Sequence, residues 1–267
     1  MKKRILPYLA AAALLAVPRT TAAQERFSLS MFHFNVQYVA GGLQGFPSGE
    51  DDNPTFDYDD AGVQDLIIVE SFEPVLDLFL DHPGWGVTLE MQGYMIEVMQ
   101  ERHPQVLTKL KQLVDKGQAE LVSFHYSDQM FLAYPALDLE RSHELLRDVL
   151  ESADLEVSGV VFCQEGQFGV GMAPLAADIG RDILVLPKNL FRYQHLGAYD
   201  DAPPLYELEG VDVVLGSRGF STAEVEVQWS FFDDGELLAT NGSDPYMGGN
   251  FKKNPAALAE YEQGLAD

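Results

Sequence analysis

The chain has 267 residues, of which 42 are Asp or Glu and 17 are Lys or Arg, so its formal net charge at pH 7 is -25. A surface this acidic repels nucleic acid and anionic lipid, which excludes both as main partners and favours neutral ones. Cys163 is the only cysteine, so no intrachain disulfide can form and stability has to come from the packed core.

The first 23 residues are typical of a secretory signal peptide. A basic start (MKKR) is followed by an apolar run, Ile5–Val17, and then by small residues. The apolar run is shorter than the roughly 20 residues that a membrane-spanning helix needs. We therefore expect a signal peptide over residues 1–23, a secreted or periplasmic protein with no membrane segment after cleavage, and one domain over residues 24–267.

Strand-like and helix-like segments alternate along the rest of the chain. The predicted strands are Phe27–Phe34, Gly86–Glu90, Ala119–Phe124, Gly159–Cys163, Ile183–Leu186, Val211–Leu215 and Val225–Phe232. The predicted helices are Leu66–Leu80, Tyr94–Arg102, Gln105–Lys116, Leu139–Ser152 and an exposed one, Pro255–Leu265. This alternation implies parallel βαβ units. The predicted fold class is therefore α/β, a parallel (β/α)7-type incomplete barrel with its active site at the carboxyl ends of the strands.

The segment Gly41–Gly62 is rich in Gly, Pro, Asp and Asn. Its stretch SGEDDNPTFDYDDAG has the acidic density of a calcium loop. It lacks the spacing and the closing Glu of an EF-hand. We expect a solvated surface loop here, and no metal or other cofactor in the protein.

Three acidic residues lie at or near predicted strand ends: Glu120 in GQAELVSF, Glu165 in FCQEGQFG and Asp234 in FFDDGE. In a parallel barrel these ends share one mouth, where residues distant in sequence meet. Glycoside hydrolysis needs two carboxylates, one to donate a proton and one to attack or to activate water. The alternative is that Glu165 is a surface acid in a Gly-rich turn and that Asp234 belongs to a polar turn. Spacing alone leaves both interpretations open.

Four separated stretches within residues 27–240 resemble, in order and spacing, the motifs of glycoside hydrolase family 57, the α-amylase, 4-α-glucanotransferase and branching-enzyme group. FHFNVQ stands where the family has a His-containing HxHQP motif. GQAELVSF resembles the second motif, Gly-x-x-Glu at the start of a strand. FCQE resembles the third, aromatic-x-x-Glu, and FFDDGE resembles the fourth, H-D-D-G-E.

This resemblance implies a retaining mechanism on α-linked glucan, with Glu165 as the nucleophile and Asp234 as the general acid/base. The implied partner is an oligo- or polysaccharide, and the oligomeric state stays open. The residues that we expect at the substrate site, from the resemblance or from their positions, are His33, Asn35, Gln37, Glu120, His125, Trp229 and Asp233.

Two positions depart from the family pattern: Asn35 and Phe232 stand where the family has His. Family enzymes also continue into a helical C-terminal region with a fifth motif, so the resemblance implies a longer protein than this chain. The alternative function is therefore a family member that has lost catalysis and binds glycan or serves as a scaffold.

A second resemblance is to polysaccharide deacetylases. Their TFDDG motif is similar to FFDDG, and its second Asp binds a metal that two downstream His residues also hold. No His follows His195 in this chain, so the ligand count does not fit. We expect His82 and His103, which each stand beside Pro at a helix edge, to be surface residues.

Overall fold

The computed structural model describes residues 31–34, 36, 43–47, 55–58, 60–122, 125–127, 134–163, 169, 171–187, 205–216, 251–252 and 255–266. The strands in this part of the chain are β1 (Met31–Phe34), β2 (Leu43–Pro47), β3 (Thr55–Tyr58), β4 (Val87–Met91), β5 (Ala119–Val122), β6 (Val160–Phe162), β7 (Ile183–Pro187), β8 (Leu205–Leu208) and β9 (Val211–Gly216). The α-helices are α1 (Asp60–Leu66), α2 (Glu73–Asp81), α3 (Gly93–Arg102), α4 (Pro104–Asp115), α5 (Ala136–Ser152), α6 (Met172–Asp178) and α7 (Pro255–Ala266). None of the described helices combines the length and the apolar character needed to cross a membrane.

The parallel strands follow one another in space in the same order as in the chain. One sheet has the order β1-β4-β5 and a second has the order β6-β7-β9, with β8 antiparallel to β9 at its edge. The amide of Ser158, just before β6, donates to the carbonyl oxygen of Leu121 in β5 over 2.9 Å and so joins the two sheets. This singly wound order is typical of barrels. It confirms an α/β fold, whereas sevenfold closure stays a prediction because Val225–Phe232 lies outside the described residues.

Helix α4 shows how local sequence sets these elements. Pro104 occupies its first turn, where the missing N–H costs nothing. The buried residues Val106, Leu110 and Leu113 recur at helical spacing and turn one side towards the core. Gly117 then adopts φ +69°, the left-handed conformation that commonly ends a helix and that glycine takes with little steric cost. The chain therefore turns directly into β5.

The main core lies between the β1-β4-β5 sheet and the helices that cover one of its faces. A π-helical segment, Ile67–Phe72, joins α1 to α2 and buries Phe72 completely. The Phe72 ring meets Phe34 of β1 edge-on, with ring centroids 4.9 Å apart. Edge-to-face aromatic pairs stabilise beyond their buried area, so this contact fixes the first helical stretch on the first strand.

The C-terminal helix α7 is not exposed along its whole length, and the expectation of an exposed helix was wrong. Tyr261 is only 4 % exposed, and its ring meets Phe32 of β1 edge-on with centroids 5.2 Å apart. Leu258 and Leu265 pack against the same core. Their three- and four-residue spacing from Tyr261 is that of an amphipathic helix, so the last described helix covers the first strand.

The expectation of a surface loop over Gly41–Gly62 was also wrong in part. Strands β2 and β3 form an antiparallel hairpin, with Phe46 in register with Phe56, and α1 begins at Asp60. Aromatic residues favour strands, and this tendency outweighed the many Gly, Asp and Asn residues around them. The calcium-loop alternative depends on residues 48–54, which lie outside the described residues.

Of the two histidines expected at the surface, His103 is buried. It is 8 % exposed, and its Nε2 lies 2.7 Å from Asp65 Oδ1. His82 is partly exposed; its ring stacks on Trp85 and its Nε2 lies 3.2 Å from Glu262 Oε1. Both imidazoles thus have a carboxylate partner, and such a partner offsets the cost of burying the polar ring of His103.

Candidate active site

Strand β4 separates an apolar face from a polar one. Its residues Val87, Leu89 and Met91 pack into the core beneath the helices. Successive side chains of a strand point to opposite faces, so Thr88 and Glu90 face the other side of the sheet. This second face is where a barrel of parallel strands encloses its interior.

Glu90 is the buried acid of this inner face. It is 4 % exposed, and it stands in register with His33 of β1 and with Val122 of β5. Glu90 is followed by Met91, the last residue of β4, so it lies within about 3 Å along the strand of its carboxyl end. A carboxylate thus sits near the end of the sheet where barrel active sites form.

Hydrogen bonds hold the carboxyl ends of β1, β4 and β5 together beyond the strands themselves. The Val36 amide donates to Gln92 Oε1 over 3.2 Å, which joins the end of β1 to the end of β4. The Tyr94 amide donates to the Tyr126 carbonyl over 2.8 Å, which joins the start of α3 to the segment after β5. Gln92, 3 % exposed, is therefore buried at the centre of this edge.

His125 follows β5 at the same edge and is 2 % exposed. Its Nδ1 lies 2.6 Å from the carbonyl oxygen of Ser127. A carbonyl oxygen only accepts, so Nδ1 carries the hydrogen and donates it. In the neutral ring the lone pair is then on Nε2.

Glu120 lies on the inner face but at the other end of the strand. It is the second residue of β5, in register with Thr88, whose Oγ1 donates to Glu120 Oε2 over 3.5 Å. Val122, two residues later, is the partner of Glu90, so Glu120 lies about 7 Å further from the carboxyl ends. Glu120 is solvent-exposed there.

The predicted catalytic pair cannot be placed. Glu165 and Asp234 lie outside the described residues, as do the expected substrate-site residues Asn35, Gln37, Trp229 and Asp233. His33 lies in β1, where only its backbone register with Glu90 is described. The structure thus places His33 and Glu120 in one sheet, with Glu120 near the amino-terminal end of β5, and His125 follows β5. The roles of all nine predicted residues stay predictions.

Glu165 comes three residues after the end of β6, and the chain is held firmly just before it. The Cys163 amide donates to the Val185 carbonyl of β7 over 2.8 Å. The Cys163 side chain is fully buried, and burial raises the pKa of its thiol to about 12. A neutral, buried thiol is a poor nucleophile and a poor metal ligand. Among the described residues no group of His, Cys, Asp and Glu is arranged to hold a metal ion.

Sequence reasoning missed Glu90 and Gln92. In VTLEMQ both polar residues interrupt an apolar strand at spacing two, which places them on one face together. An acid within an otherwise buried strand is the signal that could have identified them. The predicted strand ends at Glu90, and no role is predicted for that residue.

Comparison with known proteins gives partial similarities. No protein-family model matches the chain. The chain is 26% identical over 144 residues to a 4-alpha-glucanotransferase from Thermococcus litoralis, which is 54% of this chain and 22% of that protein. It is 25% identical over 91 residues to an alpha-amylase from Pyrococcus abyssi, which is 34% of this chain and 14% of that protein. The matched segments therefore span less than a quarter of the length of these relatives.

The fold agrees with the same group of proteins. The crystal structure of the Thermococcus litoralis 4-alpha-glucanotransferase superimposes with a TM-score of 0.58 at 16% identity, covering 75% of this chain and 30% of that one. At this identity the likeness concerns the fold alone. It supports the α/β fold described above.

Proposed function

We propose that this protein is a retaining glycoside hydrolase or transglycosidase that acts on α-linked glucan. One observation carries the proposal. Three of the four motif-like stretches, FHFNVQ, GQAELVSF and FCQE, contain residues of β1, β5 and β6, and these strands lie in one singly wound row. The partial similarities to an alpha-amylase and a 4-alpha-glucanotransferase support the same substrate class.

The proposed chemistry is a double displacement. The ionised Glu165 carboxylate attacks the anomeric carbon, while Asp234 gives its proton to the departing glycosidic oxygen. Asp234 then takes a proton from water, which gives hydrolysis, or from a sugar hydroxyl, which gives transfer. Asp234 has to be protonated at the first step, and the apolar residues before it in WSFF would favour that form.

The proposal includes export. Residues 1–23 would direct the chain across a membrane and be removed, leaving a strongly acidic protein in the periplasm or outside the cell. A polysaccharide substrate outside the cytoplasm is consistent with this location. N-terminal sequencing of the protein recovered from a secreting host tests the cleavage after residue 23.

A glycan-binding protein without catalysis is the second candidate, and Asn35 and Phe232 favour it. Both stand where the resembling family has His. The buried polar edge formed by Gln92 and His125 would serve binding as well as catalysis. The two candidates share a ligand and differ in turnover.

The test incubates the mature protein with starch, glycogen, maltooligosaccharides and, as an unrelated linkage, α-galactosides. Glu165→Gln and Asp234→Asn are assayed beside it, with the exposed Glu101→Gln on α3 as the matched control. We expect glucan products from the wild type and from Glu101→Gln, and at least a thousandfold loss in both site variants. Equal turnover in all four proteins would refute the assignment. Glucan binding without turnover would favour the second candidate.

A further inference from the structure

The segment that follows β5, residues 125–127, is held by two helices through the polar groups of one residue, Tyr126. The Tyr126 amide donates to Ser142 Oγ of α5 over 2.8 Å, and the Tyr126 carbonyl accepts from the Tyr94 amide at the start of α3 over 2.8 Å. The Tyr126 hydroxyl hydrogen-bonds to the carboxylate of Glu97, also on α3. Loops at the edge of a sheet are ordinarily its more mobile parts, so three such bonds make Tyr126 an anchor of this segment.

The hydrogen bond between Tyr126 and Glu97 has a definite direction. Burial, together with the neighbouring Glu97, raises the pKa of the Tyr126 phenol, so the hydroxyl keeps its hydrogen and donates it to the carboxylate. A hydrogen bond to a carboxylate is roughly twice as strong as one between neutral groups. The Tyr94 ring lies beside the Tyr126 ring, with centroids 6.1 Å apart. The Tyr126 side chain is therefore held in one place against α3.

Gly93 allows the segment to lie directly on the first turn of α3. A Cβ added at Gly93 would lie 3.3 Å from the Tyr126 Cα and 3.1 Å from Leu146 Cδ1. Contacts this short leave no room for a side chain unless its neighbours shift. The backbone of Tyr126 thus cannot move towards α3, and its hydrogen bonds oppose movement away from it.

The ring of His125 depends on this backbone. Its Nδ1 donates to the carbonyl oxygen of Ser127 over 2.6 Å, so the hydrogen bond spans Tyr126, the residue between them. The bond that one ring nitrogen makes decides which nitrogen carries the hydrogen. A continuous set of contacts therefore leads from Glu97 through Tyr126 to the orientation and the tautomer of His125.

We propose that Tyr126, held by Glu97, is a positioning residue of the active site that fixes the ring of His125 at the carboxyl edge of the sheet. This inference rests on the proposed function, in which His125 belongs to the substrate site. A displacement of about 1 Å in an active site can cost about a hundredfold in rate. A side chain on the helical side of the segment can thus control turnover without touching the substrate.

The kinetic test is a double-mutant cycle with a maltooligosaccharide as substrate. Tyr126→Phe and Glu97→Ala should each lower kcat/KM at least about tenfold, whereas Glu97→Gln, which keeps an acceptor oxygen, should stay within about threefold of wild type. In a His125→Ala background, adding Tyr126→Phe should change kcat/KM by less than about twofold, because the residue through which Tyr126 acts is absent. Tyr134→Phe, at an exposed tyrosine, and Glu101→Ala, at an exposed acid of α3, are the matched controls and should equal wild type.

Nitrogen NMR of protein labelled with 15N at histidine measures the orientation of His125 directly. Spectra are recorded at about pH 8.5, where an imidazole is ordinarily neutral. The wild type should show His125 with its hydrogen on Nδ1, and His125→Ala assigns the signals by their loss. Tyr126→Phe should convert His125 to a mixture of both tautomers, whereas Tyr134→Phe should leave its signals unchanged.

A purely structural role for Tyr126 predicts a different result. Tyr126→Phe would then unfold at a lower temperature, while the kinetic constants of the folded enzyme and the His125 signals would equal those of wild type, and this result would overturn the inference. Equal losses of kcat/KM from Tyr126→Phe with and without His125 would overturn it as well, because Tyr126 would then act through another group.

The outcomes also separate this inference from the proposed function. If the wild type binds glucan without cleaving it, the association constant measured by calorimetry replaces kcat/KM, with the same expectations. A wild type that neither binds nor cleaves any glucan refutes the proposed function. An active wild type in which Tyr126→Phe changes neither the kinetics nor the His125 signals refutes only the positioning role of Tyr126.

Discussion

The side-chain nitrogen Nε2 of Gln118 lies 2.8 Å from the carbonyl oxygen of Phe79 and ties the start of β5 to the end of α2. The same nitrogen lies 3.0 Å from the His82 carbonyl and 3.1 Å from the Trp85 carbonyl. An amide nitrogen has two hydrogens, so the three carbonyls share them. One side chain thus closes the connection between α2 and β4.

Replacing Gln118 should destabilise the protein. Gln118→Ala leaves carbonyls around the connection without their donor, and each buried polar group left unpaired costs about 1 to 3 kcal/mol. We expect the free energy of unfolding to fall by about 2 to 4 kcal/mol, measured by urea denaturation. Gln112→Ala, at an exposed position of α4, is the control and should change it by less than about 0.5 kcal/mol. Equal losses of stability in the two variants would contradict the stabilising role of the Gln118 side chain.

Gly117, the residue before Gln118, gives a second prediction. Gly117 has φ +69°, and a Cβ added there would have no atom within 4 Å, so the cost of Gly117→Ala comes from the backbone alone. We expect a loss of about 1 kcal/mol. Gly84 is equally open but lacks a positive φ, so Gly84→Ala should leave the unfolding midpoint unchanged or slightly higher. If Gly117→Ala is as stable as Gly84→Ala, the backbone at residue 117 can leave the left-handed conformation without a loss of stability, and the prediction is wrong.

The end of α4 at Gly117 was recognisable from the sequence, because a glycine after a helical pattern takes the left-handed conformation that ends a helix. Helix α4 was predicted for a similar reason, since the periodicity of Val106, Leu110 and Leu113 depends on neighbours in the chain. The short helices α1 and α6 were not predicted. The role of Gln118 was not recognisable, because its three carbonyl partners lie 33 to 39 residues away in the chain.

Features that depend on distant partners could not be predicted in this way. The hairpin of β8 and β9 turns at Glu209 and Gly210, which both have positive φ. Strand β8 has only four residues, LYEL, and so short a segment has too little hydrophobic pattern to predict a strand. Burial of Glu90 follows from β1 and β5 on either side of it. Whether Glu165 meets Asp234 depends on pairing across the whole sheet, which local pattern does not specify.

The contact of Asp65 with Arg102 and His103 predicts a pH dependence. Asp65 Oδ1 lies 2.8 Å from Arg102 Nε and 2.7 Å from His103 Nε2. Burial alone would raise the pKa of Asp65, but the hydrogen bonds from His103 and Arg102 outweigh it and the pKa is lowered. A lowered folded-state pKa gives stability that is present above the unfolded value, about 3.9, and that is lost as the pH falls through the folded value.

Asp65→Asn should therefore be less stable than wild type at pH 6, and the difference should shrink below about pH 4. Urea midpoints of the two proteins at pH 6, 4 and 3 measure it. Asp81→Asn, which changes an exposed acid at the end of α2, should follow the wild type at all three values. A difference between Asp65→Asn and wild type that stays constant down to pH 3 would contradict the assigned pairing.

The buried thiol gives a prediction about reactivity. Because burial raises the pKa of Cys163 to about 12, almost no thiolate exists at neutral pH and reagents cannot reach it. A thiol reagent should label the native protein at least a hundredfold more slowly than the urea-unfolded protein, as followed by mass spectrometry. If the proposed glucan activity is present, Cys163→Ala should keep it. Rapid labelling of the native protein, or loss of activity in a folded Cys163→Ala, would contradict this prediction and indicate that the thiol has a functional role.

Azide can distinguish the roles proposed for Glu165 and Asp234. In Glu165→Ala, azide should enter the space left by the carboxylate and form a bond to the anomeric carbon of a nitrophenyl α-maltoside as nitrophenolate leaves. A single displacement inverts the configuration, so the product is the β-azide. In Asp234→Ala the glycosyl-enzyme on Glu165 still forms, and azide then attacks it in place of activated water, so the second inversion gives the α-azide. Opposite anomers from the two variants, identified by proton NMR, are the expected result. The same anomer from both, beside an active wild type, would mean that the two carboxylates do not divide the work as nucleophile and proton donor.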